Sequence, residues 1–133
     1  MKKVAVLGGT HFIGVHLHEA LQREGHQVTL YNRNLTTAPI ALPKDITHIT
    51  GDRNNPEDLR KLFKEDFDVV FDLSGYALDH VEPIALNYRS SIGHYIFCST
   101  SLVHKPPASS SAPLNESSPR VFEQNTYGGN KAL

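Results

Sequence analysis

A tyrosine and a lysine near the end of the 133-residue sequence have the chemistry of an acid–base pair. Tyr127 and Lys131 are four residues apart, a spacing that puts two side chains on one face of a helix. Because an ammonium group favours the phenolate form of a nearby phenol, Tyr127 is predicted to be a general acid or base, tuned by Lys131. The hydroxyls of Ser99-Thr100-Ser101 follow an apolar stretch, and one of them is predicted to bond the reacting oxygen.

A glycine-bearing segment near the start has the residues of a phosphate-binding loop. It separates a short apolar run from a predicted helix. Gly8 can adopt a backbone conformation that is closed to other residues, and Gly14 allows the helix to pack closely on the strand. The free N–H groups at the start of such a helix attract a pyrophosphate. A glycine-rich turn without a ligand is the alternative. The predicted contacts are Gly8, Thr10, His11, Phe12, Ile13 and Gly14.

His11 stands where such loops usually have their middle glycine. Its side chain could donate a hydrogen bond to a phosphate, or it could crowd the phosphates and weaken their binding. The sequence leaves both alternatives open.

The end of the second predicted strand bears on which dinucleotide binds. An acidic residue there holds the adenosine ribose of NAD, whereas an arginine nearby suits the 2′-phosphate of NADP. The sequence has Asn32 and Arg33 at this point and no acid, which favours NADP over NAD. The alternative is that Arg33 is a solvated loop residue.

Four more positions at strand ends are predicted to contact the cofactor. Asp52 follows the third predicted strand and could accept a hydrogen bond from the adenine amino group, or it could form a turn. Its neighbour Arg53 is a second predicted contact. Ser74 and Gly75, after the fourth predicted strand, complete the set.

Alternating strands and helices must position these residues. Apolar runs predict strands at 4–7, 28–31, 46–50, 68–73 and 94–98. Helices are predicted to begin at Ile13, Asn55-Pro56, Pro83 and Tyr127, with Gly25 as the C-cap of the first. The predicted buried face of that first helix contains Ile13, Leu17, Ala20, Leu21 and Glu24. Loops are predicted at 32–45 and 105–125, and the second could serve as an active-site flap. The predicted fold is α/β, a Rossmann-like, doubly wound parallel sheet with helices on both faces.

Composition excludes several classes of protein. The 13 basic and 14 acidic residues give a net charge of −1, so nucleic acid is not an expected partner. Cys98 is the only cysteine, so a reducing cytoplasm is the expected compartment, and Cys98 is predicted to be a core residue rather than a nucleophile. No apolar run approaches the length of a membrane span, and the histidines show no zinc-like spacing, so neither a membrane nor a metal is predicted.

Taken in order, these motifs resemble the short-chain dehydrogenase/reductase superfamily, in its NAD-dependent epimerase/dehydratase branch. The resemblance covers the whole chain, and the loop is similar to the family's Gly-Gly-x-Gly-Phe-Ile-Gly fingerprint, with His11 as the departure. Alignment on Val103 assigns the role of the family's catalytic Ser or Thr to Thr100. The resemblance implies that Tyr127 is the acid–base and that Lys131 also binds the nicotinamide ribose.

The sequence departs from the usual family pattern at three places, and there it resembles an atypical branch that includes the chloroplast stem-loop RNA-binding proteins. They are His11, the stretch Asp72-Leu73-Ser74-Gly75 in place of an apolar-Ala-Ala stretch, and a short crossover from Gly75 to His94. The family resemblance implies an epimerase, dehydratase or reductase that acts on a sugar nucleotide or a similar small-molecule substrate. The alternative is a non-catalytic dinucleotide-binding or RNA-binding relative on the same fold.

The usual length of the family bears on what this chain can do. Members run to about 300 residues, which is enough for a sheet plus a substrate domain. The resemblance therefore implies that residues 1–133 are an NAD(P)-binding domain that is incomplete at its C-terminal end and lacks the substrate domain. Such a fragment is expected to bind dinucleotide weakly and to be inactive. The oligomeric state stays open, with a homo-oligomer as one alternative, because the helix that starts at Tyr127 is a usual pairing element in the family and is cut here.

Overall fold

Five strands form the centre of the computed structural model. The structure describes residues 1–34, 42–43, 45–104, 113–121, 123 and 125–132, so parts of the loops predicted at 32–45 and 105–125 lie outside it. The strands are β1 (Lys3–Leu7), β2 (Gln27–Asn32), β3 (Thr47–Thr50), β4 (Phe67–Asp72) and β5 (Ile92–Phe97). Each strand begins and ends within two residues of its predicted bounds.

Helices follow the strands along the chain. They are α1 (Ile13–Arg23), α2 (Pro56–Leu62), α3 (Leu78–Asn87) and α4 (Tyr127–Ala132), with 3₁₀ turns at Arg89–Ser91 and Ser101–Val103. The longest of these helices, α1, has 11 residues. None of the described helices combines the length and the apolar character that a membrane span requires.

The strands are all parallel and lie in the order β3-β2-β1-β4-β5. This arrangement confirms the predicted Rossmann-like α/β fold. The chain moves outward from β1 to β3 and then returns to the other side of β1 with β4, so the strand order reverses between β1 and β4. The loops after two such strands diverge and leave a crevice at the carboxyl edge of the sheet, which is where ligands bind in this architecture.

Alternate residues of β1 pack on opposite faces of the sheet. Ala5 and Leu7 belong to a core cluster that includes Leu62 of α2. Val4 and Val6 belong to a second cluster, against which the leucines of α1 pack. Burial on both faces explains why the sequence of β1 is a continuous apolar run rather than an alternating one.

The buried face of α1 differs from the predicted face. Leu17 and Leu21 pack against the core as predicted, but Ile13 is 64% exposed and Glu24 is exposed. The buried residues of the helix are Gly14, Val15 and His18. Gly14 packs against the loop before the helix, so the helix face that contains Gly14, Val15 and His18 is the one that faces the sheet. Ile13 lies instead at the carboxyl edge of the sheet.

Two predicted helix ends are confirmed. At the end of α1, Gly25 has a φ of 77° and its N–H donates to the Gln22 carbonyl, while the next N–H donates to the Leu21 carbonyl. These are the two bonds of a Schellman motif. At the start of α2, the Asn55 side chain accepts a hydrogen bond from the Glu57 N–H, as an N-cap does.

The start of α3 corrects the prediction that Pro83 opens this helix. The helix begins at Leu78, and Pro83 lies in its interior. Proline is common at the first helical position because it has no N–H to satisfy, but local hydrogen bonds start this helix earlier. The His80 N–H donates to the Ala77 carbonyl, and the Tyr76 N–H donates to His80 Nδ1. Pro83 therefore leaves the helix without one of its internal hydrogen bonds.

Candidate functional site

A cavity of about 570 Å³ opens at the carboxyl edge of the sheet. It is bordered by the segments that follow the five strands and by α4. The predicted site residues that line it are Gly8, Thr10, His11, Phe12, Ile13, Gly14, Asn32, Arg33, Asp52, Arg53, Ser74, Tyr127 and Lys131. Two predicted site residues, Gly75 and Thr100, do not line it. The fold thus brings most of the predicted site to one place.

The loop between β1 and α1 needs glycine at both of its ends. Gly8 has a φ of 88°, and a Cβ atom there would lie 2.9 Å from the Cβ of Ser74. A Cβ atom at Gly14 would lie 2.6 Å from the Cα of Gly9. Gly14 therefore allows the close approach that was expected, although the contact is with the loop rather than with the strand.

The start of α1 presents free backbone donors to this cavity. Phe12, with a φ of 48°, occupies the N-cap position, and no side chain caps the helix. Within the described residues, the N–H groups of Phe12 and Ile13 donate to no acceptor, whereas the Gly14 N–H donates to the His11 carbonyl. The uncapped end of this 11-residue helix carries the positive end of its dipole.

A chain of polar side chains crosses the floor of the cavity from β2 to the loop. Asn32 Nδ2 donates to Thr10 Oγ1 at 3.2 Å, and His11 Nδ1 lies 3.1 Å from the same hydroxyl. Asn32 Oδ1 accepts from the Asn34 N–H at 2.9 Å and lies 3.1 Å from His48 Nε2. The Asn32 side chain is therefore already bound on both of its polar atoms.

Arg33 and Asp52 occupy different surroundings at the rim. Arg33 is exposed, and its side chain forms no hydrogen bond with the described residues. Asp52 Oδ1 accepts from the Asn54 N–H at 2.9 Å, and the Asp52 N–H donates to Asp58 Oδ2 at 3.0 Å. Asp52 thus forms a turn, as one of its two predicted roles requires, and its contact with adenine stays a prediction.

Arg53 forms a buried ion pair. Its Nη1 lies 2.9 Å from Asp72 Oδ1 and its Nη2 lies 2.5 Å from Asp72 Oδ2, with the two side chains 9% and 0% exposed. Nη1 also donates to Ser74 Oγ, and Nη2 also donates to the His80 carbonyl. With Asn54, Arg53 also borders a second cavity of about 360 Å³. Arg53 therefore borders two cavities, with its Nη groups bound within the protein.

Asp72 is the hub of this network. In addition to the two bonds from Arg53, it accepts hydrogen bonds from the Ser74 and Gly75 N–H groups and from the Tyr95 hydroxyl. Gly75 thus helps to hold the turn after β4, and its position away from the cavity follows from this contact. Its predicted contact with a cofactor stays a prediction.

The pKa directions describe a charged pair with a neutral phenol beside it. Burial raises the pKa of Asp72, but the hydrogen bonds and charge of Arg53 outweigh burial, so the net pKa is lowered. Burial likewise lowers the pKa of Arg53, and the hydrogen bond and charge of Asp72 outweigh it, so the net pKa is raised. Burial first, and the charge of Asp72 second, raise the pKa of Tyr95. The network is therefore held together by charge near neutral pH.

Tyr127 and Lys131 lie together at the cavity, as predicted from their spacing. Lys131 Nζ lies 5.4 Å from the centre of the Tyr127 ring, 5.4 Å from that of Tyr76 and 4.9 Å from that of Phe97. It also donates to the Cys98 carbonyl at 2.6 Å. Three aromatic rings and a carbonyl hold the ammonium group in place, while Tyr127 is 45% exposed. The pair can therefore meet a ligand.

Thr100 and Cys98 depart from their predicted surroundings. Thr100 Oγ1 accepts from the Leu102 N–H at 3.3 Å and caps the turn at Ser101–Val103, so its hydroxyl is not directed to the cavity by any contact described. Cys98 is half-buried and lines the cavity, which corrects its prediction as a core residue. The cause is that β5 ends at Phe97, one residue before Cys98.

Tyr76, His80 and Asp72 are site residues that the sequence pattern did not predict. Tyr76 and His80 line the cavity, and Asp72 lies beneath it. A signal for Asp72 was available, because a charge that ends an apolar strand must find a partner if it is buried. Within the residues the structure describes, no three His, Cys, Asp or Glu side chains are grouped to hold a metal ion.

Comparison with known proteins identifies relatives. The family model described as the NAD dependent epimerase/dehydratase family matches residues 4–132. The chloroplast stem-loop binding protein of 41 kDa b from Arabidopsis thaliana is 37% identical over 77% of this chain and 30% of its own length. A UDP-glucose 4-epimerase from Neisseria meningitidis serogroup B is 27% identical over all of this chain and 46% of its own length. The chain spans about a third to a half of the length of these relatives.

A solved structure shares the fold. The dTDP-glucose 4,6-dehydratase from Bacillus anthracis, in complex with NAD, superimposes with a TM-score of 0.78 at 18% identity, over 99% of this chain and 47% of that one. At this identity the likeness concerns the fold alone. The family model, in contrast, matches nearly the whole sequence, from β1 to the last residue of α4. The chain therefore belongs to the NAD dependent epimerase/dehydratase family.

Proposed function

We propose that the cavity binds a nicotinamide adenine dinucleotide, and that the chain is the coenzyme-binding part of an epimerase-like, dehydratase-like or reductase-like enzyme. The observation that carries this proposal is that one cavity joins the uncapped start of α1 to Tyr127 and Lys131. Dinucleotides bind across the carboxyl edge of such sheets where the strand order reverses. The match of residues 4–132 to a family described as NAD dependent supports the assignment.

The residues present fit a dinucleotide at its phosphates. The N–H groups of Phe12 and Ile13 are free among the described residues and lie at the positive end of α1. Gly8 and Gly14 keep the loop narrow, because a Cβ atom at either position would collide with its neighbours. The pyrophosphate would lie against this loop.

The adenosine end favours NADP over NAD in this proposal. No acid ends β2, and the Asn32 side chain is bound to Thr10 and its other neighbours. Arg33 at the rim offers a planar set of donors suited to a 2′-phosphate. Asp52 is the proposed partner of the adenine amino group.

Tyr127 is the proposed acid–base group. A nicotinamide ring, when bound, accepts a hydride from a substrate carbon and can return it. Tyr127 would exchange a proton with the hydroxyl on that carbon, which is the usual task of a positioned general base. Lys131 is held near the phenol ring by its hydrogen bond to the Cys98 carbonyl. Thr100 Oγ1 accepts from the Leu102 N–H, so its O–H is the group that it would offer to the substrate oxygen.

The proposed substrate is a sugar nucleotide, because the relatives by sequence include a UDP-glucose 4-epimerase. We assign residues 1–133 to a coenzyme-binding domain and expect this chain alone to bind coenzyme without turnover. A homo-oligomer and a cytoplasmic location stay predictions of the sequence analysis. Light scattering on the purified protein tests the first of these, and imaging of the tagged protein in its host cells tests the second.

Calorimetric titration with NAD and with NADP tests the proposed function. We expect saturable binding of one coenzyme per chain, with the tighter binding to NADP. In parallel, amide chemical shifts should change at Gly8 and Gly14 and not at Gly25, which lies at the other end of α1. The absence of saturable binding, or binding that leaves the two loop glycines unperturbed, would overturn the proposal. Tighter binding of NAD would remove only the preference for NADP.

Stem-loop RNA binding is the second candidate, because the relative with 37% identity is named a stem-loop binding protein. The net charge of −1 argues against it for this chain, since neutralisation of phosphates supplies most non-specific affinity for nucleic acids. A gel-shift assay with a labelled RNA hairpin at several salt concentrations separates the candidates. Salt-sensitive binding would favour this second function.

A further inference from the structure

We propose that His11, in the place of the usual glycine, recognises the coenzyme pyrophosphate through Nε2–H, and that Asn32 and Thr10 select this tautomer. The inference rests on the proposed function for the identity of the ligand. The selection of the tautomer rests on hydrogen bonds within the chain alone.

The first step is the orientation of the Asn32 amide. The Asn34 backbone N–H can only donate, and it lies 2.9 Å from Asn32 Oδ1. This contact fixes the oxygen on that side, so the amide nitrogen must face Thr10, where Nδ2 donates to Oγ1. His48 Nε2, 3.1 Å from the same Oδ1, must then carry a hydrogen.

The second step is the direction of the Thr10 hydroxyl. Its oxygen accepts from Asn32, and its other partner among the described residues is His11 Nδ1 at 3.1 Å. Among the described residues, the hydroxyl proton therefore finds an acceptor only if it points to Nδ1. A neutral imidazole that accepts at Nδ1 carries its hydrogen on Nε2. His11 is thus set as a donor through Nε2.

The third step is where this donor lies. His11 lines the cavity and directly precedes the N-cap residue Phe12. Its Nδ1 is held by Thr10, so Nε2 is the ring nitrogen left for a ligand. A hydrogen bond from Nε2–H to a phosphate oxygen would join the donors at the start of α1. Of the two alternatives that the sequence leaves open, the hydrogen bonds favour donation to phosphate.

The network also predicts how the residue at the end of β2 controls His11. A carboxylate at position 32 accepts hydrogen bonds and cannot donate them. The Thr10 hydroxyl would then donate to the carboxylate and present its oxygen to His11. His11 would have to place its hydrogen on Nδ1, which leaves Nε2 as an acceptor that faces the phosphates.

The tautomer is measured without any ligand. Long-range proton–nitrogen NMR spectra of the ¹⁵N-labelled protein at about pH 8.5, where an ordinary imidazole is neutral, distinguish Nε2–H from Nδ1–H. We expect Nε2–H in the wild-type protein and Nδ1–H in Asn32→Asp. The control Asn34→Asp adds the same charge two residues away and should leave Nε2–H unchanged. An Nδ1–H tautomer in the wild type, or Nε2–H retained in Asn32→Asp, would overturn the selection.

Calorimetric titration of coenzyme tests the phosphate contact. His11→Phe keeps a ring and removes the donor, and we expect NAD and NADP to bind about tenfold more weakly, as the loss of a charge-assisted hydrogen bond implies. The matched control is His16→Phe, on the exposed side of α1, which should leave both affinities unchanged. Equal or tighter binding by His11→Phe would overturn the role in recognition. If the wild-type protein binds no dinucleotide, both the proposed function and the role of His11 in recognition are overturned. The tautomer result is independent of this outcome, because it is measured on the free protein.

Discussion

Replacement of Asp72 by asparagine should destabilise the protein by about 3–5 kcal/mol, the usual cost of breaking a buried ion pair by removing one partner. Asp72 is 0% exposed and Arg53 is 9% exposed, so the substitution leaves a buried cation without its counter-ion. The asparagine amide nitrogen would also replace a carboxylate oxygen of Asp72, whose oxygens accept hydrogen bonds from Arg53, Tyr95 and the Gly75 N–H. The loss is a large share of the roughly 5–15 kcal/mol that stabilises a typical domain.

Urea unfolding followed by circular dichroism measures this loss at neutral pH. The control is Glu65→Gln, because the pair of Glu65 and Lys3 is exposed on both sides and such pairs contribute less than about 1 kcal/mol. A double variant, Asp72→Leu with Arg53→Met, should recover part of the stability, since it removes the unpaired charge but leaves the Gly75 N–H and the Tyr95 hydroxyl without their acceptor. If Asp72→Asn costs no more than Glu65→Gln, the reasoning is refuted.

The same pair predicts a pH dependence. The pKa of Asp72 in the folded protein lies below its ordinary value of 3.8, so the folded state binds its proton less readily than the unfolded state. The stability that its charge contributes is therefore complete well above that pH and is lost as the pH falls through the lower, folded-state pKa. The difference between the wild type and Asp72→Asn should be constant from about pH 6 to 8 and shrink below about pH 4. A difference that is as large at about pH 2 as at about pH 6 would contradict a charge-based origin.

Three further substitutions test the cavity. Gly14→Ala should lower the free energy of unfolding by about 1–3 kcal/mol, because its Cβ would lie 2.6 Å from the Cα of Gly9; unchanged urea unfolding would contradict the close approach. Arg33→Gln should weaken NADP binding about tenfold and leave NAD binding unaltered, and an unchanged ratio of the two affinities by calorimetry would count against a 2′-phosphate contact. Lys131→Met removes the hydrogen bond to the Cys98 carbonyl and the proposed ribose contact, so NAD should bind about tenfold more weakly by calorimetry. Wild-type affinity in that variant would remove Lys131 from the coenzyme site.

The phosphate loop could be predicted from the sequence because its determinants are local. The φ of Gly8 and the crowding at Gly14 follow from a strand, a tight turn and a helix that are consecutive in the chain. The Tyr127 and Lys131 pair is local in the same sense, since four residues of helix bring the two together. Patterns of this range need no knowledge of the tertiary fold.

The Arg53 and Asp72 pair could not be predicted in this way. Arg53 follows β3, and Asp72 is the last residue of β4. In the sheet, β2 and β1 lie between these two strands. Their contact depends on how the chain returns across the sheet, which apolar periodicity does not specify. The same limit explains α3, where Pro83 suggested a helix start but the Tyr76 and His80 contact begins the helix earlier.

Because Arg53 borders both the cavity of about 570 Å³ and the cavity of about 360 Å³, its side chain forms part of the wall of each as well as being a cation. A shorter residue at this position, with an apolar partner in place of Asp72, would enlarge the space at this wall. We expect such a variant to accept coenzyme analogues with bulky groups on the adenine, which the natural side chain would exclude by its size. The network that stabilises the sheet edge would then also be the feature that sets the dimensions of the molecule admitted there.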